Sequence, residues 1–108
     1  MPSADAFFAI DVRVGTVVEA ANFPEARKPS VRLAIDFGAE LGVRRSSAQL
    51  TVHYRPEELI GRQVVAVVNI GTRRIAGFTS EVLVLGAMPT ETEVVLLAVD
   101  RRVGTRIG

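Results

Sequence analysis

Arg55-Pro56-Glu57-Glu58-Leu59-Ile60-Gly61-Arg62-Gln63-Val64-Val65-Ala66-Val67-Val68-Asn69 decides the fold. Pro56 fits the first position of a helix, where its missing N–H costs little. Glu57 and Glu58 complement the positive end of the helix dipole there. Gly61 is suited to the left-handed conformation that stops a helix. The stretch therefore opens with a helix of one or two turns. Gln63 to Asn69 is nearly all apolar and reads as a central strand.

Upstream, Val12 to Glu19 is rich in Val and predicts a first strand. The segment Phe23 to Pro29 reads as a loop. Val31, Leu33, Ile35 and Phe37 alternate with Arg32, Ala34 and Asp36, as in a half-buried second strand. Gly38 and Gly42 mark a turn. Ala48, Leu50 and Val52 alternate with Gln49 and Thr51, which predicts a third strand. Downstream, Gly71 to Gly77 reads as a basic loop. Glu81 to Leu85 and Val94 to Val99 are further strands around a turn at Pro89 to Glu93. Three strands, a short helix between strands 3 and 4, then more strands is the order of an all-β OB fold, a Greek-key barrel. Periodicity alone does not separate it from other small barrels.

The 108 residues are expected to form one domain, 1–108. Cys is absent, which excludes disulfides, thiolate metal sites and cysteine nucleophiles, and fits a reducing cytoplasmic setting. No apolar run approaches bilayer length, so no membrane insertion is expected. Asp5 stands where a signal peptide needs basic residues, and Ala6 to Ile10 is too short for its apolar core. The net charge of +1 is unlike that of a typical nucleic-acid binder.

The catalytic inventory is nearly empty. His53 is the single His, so there is no His cluster for a metal and no ready Ser–His–Asp set. It is expected to be a surface or capping residue. Ser46 and Ser47 lie outside any Gly-x-Ser-x-Gly elbow, and Gly71 to Gly77 lacks the spacing and ending of a phosphate loop. A non-enzyme without metal or cofactor is the expectation. The cations, by contrast, cluster: Arg27 with Lys28, Arg44 with Arg45, Arg73 with Arg74, and Arg101, Arg102 and Arg106. All fall in predicted loops or strand ends, and loops at one rim of a barrel can converge into a patch at near-zero net charge. Phe37 and Phe23 are expected inside the barrel. Phe7 and Phe8, at a terminus that frays unless docked, are assigned to a dimer contact.

Three segments carry a family resemblance: Asp11-Val12-Arg13-Val14-Gly15-Thr16, then Tyr54 to Val64 with Val67-Val68-Asn69, then Arg73-Arg74-Ile75-Ala76-Gly77-Phe78-Thr79-Ser80-Glu81-Val82-Leu83. They resemble the tRNA-binding domain found in CsaA, in the C-terminal extension of methionyl-tRNA synthetase and in endothelial monocyte-activating polypeptide. Phe23-Pro24-Glu25-Ala26-Arg27, Ile35-Asp36-Phe37-Gly38, Ser46-Ser47-Ala48-Gln49 and Gly77 to Leu83 look like CsaA signatures. The resemblance implies an OB-fold homodimer that binds unfolded or precursor polypeptides as a chaperone, with a link to protein export. The wider superfamily implies tRNA as the alternative ligand. By position, the ligand surface would include Lys28, Ser47, Asn69, Arg73 and Ser80, with Arg74 added from the basic cluster. Two departures stand out. CsaA-like sequences carry Pro-Pro where this chain has Gly71-Thr72, and Asp100 to Thr105 is shorter than usual and lacks a Pro-Asn-Gly turn.

Overall fold

The computed structural model describes residues 2–108. The strands β1 (Val12–Asn22), β2 (Val31–Asp36) and β3 (Val43–Ala48) form an antiparallel meander. The helix α2 (Pro56–Leu59) follows, and β4 (Gln63–Val67) returns beside β1. The strand β7 (Leu83–Val84) extends the sheet to the order β3-β2-β1-β4-β7, with the short β10 (Arg106–Ile107) also on β1. A meander whose fourth strand lies against the first is a Greek key, here curled into a nearly closed barrel. This is the OB fold expected from the element order. A short N-terminal helix, α1 (Ala4–Phe8), was not anticipated from the sequence.

The core explains why β4 reads as a continuous apolar run. Val64, Ala66 and Val68 face the main core with Ile35, Phe37, Leu50, Leu59 and Val82, while Val65 and Val67 face a smaller cluster with Val12. A strand buried on both faces has no polar alternation to show. On β2 only one face is buried, and its alternation is clean.

The helix α2 forms as the sequence dictates, with Pro56 at its start and Gly61 at φ 87° past its end. The Arg55 N–H donates to Glu58 Oε1 at 3.0 Å. That bond, with the nearby Arg55 guanidinium, holds the Glu58 carboxyl below its ordinary range.

Three expectations need correction. The third strand is Val43–Ala48, and Thr51 to His53 form a turn. Leu50 is fully buried from beside that turn, while Val52 is exposed. The basic segment is no open loop: β5 (Arg73–Ile75) pairs with β6 (Phe78–Ser80) in a hairpin. Its two turn residues, Ala76 (φ 46°) and Gly77 (φ 82°), both have positive φ. That is what a tight two-residue hairpin turn needs. Finally, Gly86 to Thr90 is a strand, β8, which pairs with β9 (Glu93–Leu96) in a satellite hairpin. His53 anchors this hairpin through Glu93, and the Tyr54 hydroxyl accepts the Leu96 N–H at 3.0 Å.

Candidate functional site

The barrel closes where β3 meets β6 and β7, and this seam is built largely from side chains. The Glu81 N–H donates to the Arg45 carbonyl at 2.7 Å. The Arg45 N–H donates to Glu81 Oε1 at 3.1 Å, and the Ser47 N–H to Ser80 Oγ at 3.2 Å. The buried Ser46 hydroxyl donates to the Val82 carbonyl at 2.8 Å. Ser80 is itself buried. A strand edge with no ladder partner must satisfy its N–H groups in some other way, and these residues do so.

The hairpin of β5 and β6 lies beside this seam. Register places Arg73 opposite Ser80 and Ile75 opposite Phe78, so these four side chains share one face. Phe78 fixes that face to the barrel. Its ring meets Phe23 edge-on at 5.5 Å, with the Arg45 guanidinium 5.3 Å from its centroid. The Arg32 guanidinium lies 5.2 Å from the Phe23 centroid and 5.9 Å from that of Phe78. Alternating guanidinium and aromatic groups attract through the ring quadrupoles. The ladder therefore seats the hairpin and leaves Arg73 and Ile75 over a cleft.

The cleft has two halves of about 370 Å³ each, which share Ser47, Arg73 and Ile75 as a common wall. One half is cationic: Arg27 and Lys28 from the loop after β1 face Arg73 over a floor that includes Gln49. The other is more apolar, walled by Ile70, Val82 and Leu83 with Ser80 at its edge. Among the described residues, no carboxylate lines either half. Gly71, on the rim of the apolar half, takes φ 84°. Proline, held near −65°, cannot occupy that backbone, so the departure from Pro-Pro goes with a different local chain path.

Of the residues singled out in the sequence, Lys28, Ser47, Arg73 and Ser80 come together here. Ser80 serves the seam as well as the rim. Arg74 does not join them; it projects from the other face of the hairpin, where its Nη1 donates to Thr79 Oγ1 at 3.3 Å. Asn69 is engaged elsewhere: its Oδ1 accepts the Asp11 N–H at 2.8 Å, and its Nδ2 donates to the Ala9 carbonyl at 2.9 Å. Gln49, Ile70 and Leu83 were missed. The alternation of Ala48, Leu50 and Val52 puts Gln49 on the outward side of a strand, where nothing in the sequence singles it out.

Phe7 and Phe8 lie on α1, edge to face at 5.3 Å and exposed by 52% and 64%. Below α1 runs an apolar groove of about 440 Å³, lined by Phe7, Ile10, Val67, Ile70, Leu83 and Leu85 among others. Asp11, at the junction of α1 and β1, is fully engaged. Its carbonyl accepts the Val68 N–H at 2.8 Å and its carboxylate pairs with Arg13 at 2.6 Å. That hydrogen bond outweighs partial burial and raises the Arg13 pKa.

Comparison with known proteins places this geometry. The family model described as a putative tRNA binding domain matches residues 12–106. The crystal structure of chaperone CsaA from Bacillus anthracis is 53% identical, with a TM-score of 0.93 over 100% of this chain and 99% of that one. The CsaA chaperone protein of Picrophilus torridus is 44% identical, with a TM-score of 0.91 and both chains fully covered. A methionine–tRNA ligase of Methanocaldococcus jannaschii is 37% identical over 92 residues, which is 85% of this chain but 14% of the ligase. The chain thus spans about a seventh of the curated ligases it matches. Matched along nearly its whole length by the family model, and from end to end by two CsaA structures, the chain belongs to the tRNA-binding-domain family and is a CsaA-type member of it.

Proposed function

We propose that this protein is a non-catalytic chaperone that binds unfolded polypeptide in the cleft between the β5–β6 hairpin and β3. The observation that carries this reading is the division of the cleft into a cationic and an apolar half around one wall. An extended polypeptide presents side chains of both kinds on one face, about 7 Å apart. The similarity to the CsaA chaperones supports the same reading. The proposed setting is the cytoplasm, with precursor polypeptides bound for export among the clients. The test is aggregation of a chemically denatured client diluted into buffer. Stoichiometric protein slows its light scattering, and Arg73→Ala or Ile75→Ser reduces the effect. Absence of suppression at several-fold excess overturns the reading.

A second reading, tRNA binding, is favoured by the family match and by the carboxylate-free cationic half. Three cations, Arg27, Lys28 and Arg73, meet there. They give a log–log salt slope of about −2 to −3. A flat salt response, or unchanged affinity in Arg73→Ala, counts against tRNA.

The working unit is a homodimer built on the face that carries α1. Ile10, Ile70 and Leu83 are exposed there beside Phe7 and Phe8. Projecting aromatic side chains and an apolar groove stand next to each other on the same face. That arrangement suits a two-fold contact, because each copy can offer its projection to the other's groove.

A further inference from the structure

The helix α1 presents a physical problem. It has five residues, none of them buried. A single helical turn does not persist alone in water, because nucleation costs more than its few hydrogen bonds return. Its N-terminus has a cap, since Ser3 Oγ accepts the Ala6 N–H at 3.2 Å. At its other end the two ends of the Asn69 amide grip the chain on either side of Ile10, at Ala9 and at Asp11. Asp11 is in turn fixed by Val68 and Arg13. Both hydrogen-bonding ends of Asn69 are therefore spent on the N-terminal segment, and Asn69 lines the groove beneath α1 rather than either half of the cleft.

We infer that Asn69 is a positioning residue for the contact between two copies of this chain: its side-chain amide sets α1, and with it Phe7 and Phe8, in the pose that the partner receives. The inference rests on the reading of the α1 face as the self-contact. It also takes Asn69 off the ligand surface to which position alone had assigned it. Only a side chain with an acceptor and a donor at one end satisfies both Asp11 N–H and Ala9 C=O. Asp keeps the acceptor and loses the donor; Ala loses both. A two-fold contact feels the change in both copies. A loss of roughly fivefold per copy, ordinary for a removed hydrogen bond, becomes about 25-fold in the dimer constant.

The experiment is sedimentation equilibrium of the full chain, wild type beside Asn69→Ala, Asn69→Asp and the double variant Phe7→Ser, Phe8→Ser. Amide hydrogen exchange at Ala9 to Asp11 is read in parallel. Binding of reduced, carboxymethylated lysozyme is measured at concentrations where every variant is monomeric. Asn69→Ala is expected to weaken the dimer about 25-fold and to speed exchange at Asp11; Asn69→Asp, which keeps the acceptor for that amide, weakens the dimer less and leaves Asp11 protected. Affinity for the unfolded lysozyme is expected to stay within twofold of wild type, whereas Arg73→Ala lowers it. A wild-type dimer whose constant does not move in Asn69→Ala overturns the inference and leaves the self-contact standing. A wild type that is monomeric at tens of micromolar removes the self-contact and the inference together. A loss of polypeptide affinity in Asn69→Ala equal to that in Arg73→Ala returns Asn69 to the ligand surface and also overturns it.

Discussion

Gln49 Oε1 is buried on the floor of the cationic half and accepts no hydrogen bond from the protein. A buried acceptor left unpaired costs about 1–3 kcal/mol, whereas an apolar group of the same shape costs nothing of that kind. Gln49→Met keeps the length and removes the acceptor. It is expected to raise stability by about 1 kcal/mol in urea unfolding, with the m-value unchanged. The residues that could be read from sequence at this scale were those with one possible use. Phe37, in an alternating strand, is buried as expected. Asn69 shows the opposite case. The family resemblance implies a ligand contact for it, while in the structure its hydrogen-bond partners lie 58 and 60 residues away. Local sequence does not encode such a pairing.

The elements differ in how legible they were, and burial explains the difference. The helix α2 announces itself through Pro56, Glu57, Glu58 and Gly61, all local signals. The strand β3 does not, because it lies at an edge. In Val43-Arg44-Arg45-Ser46-Ser47-Ala48 only Ser46 is fully buried, and charge on an edge strand is ordinary. Ala48, Leu50 and Val52 do alternate, but Leu50 fills the core from beside a turn and Val52 faces solvent. The β5–β6 hairpin was hidden for another reason: Ala76 holds a turn position that Asn or Gly usually occupies. Ala at φ 46° carries a steric cost that Asn bears more easily. Ala76→Asn is therefore expected to stabilise the protein by about 0.5–1 kcal/mol, read as a higher melting temperature, and to slow exchange of the hairpin amides. A lower melting temperature would show that Ala76 makes a contact worth more than its strain.

At the scale of the molecule, the order of the elements was legible and the closure of the barrel was not. Element order follows from periodicity, whereas closure depends on Ser46, Ser47, Ser80 and Glu81 meeting across the seam. Nothing in the sequence around any one of them indicates this. Ser80→Ala leaves the Ser47 N–H without its acceptor. It is expected to cost about 1–2 kcal/mol in chemical unfolding and to raise exchange selectively at Ser47. A uniform rise along β3 would point to opening of the whole barrel instead. The seam has a consequence for life in a crowded cell. A protein that handles unfolded chains, as proposed for this one, risks being recruited into their cross-strand stacks through any bare margin of its own. By covering two amides of β3 with side chains and one carbonyl with a main-chain N–H from the facing wall, this barrel gives such stacks no template there to extend.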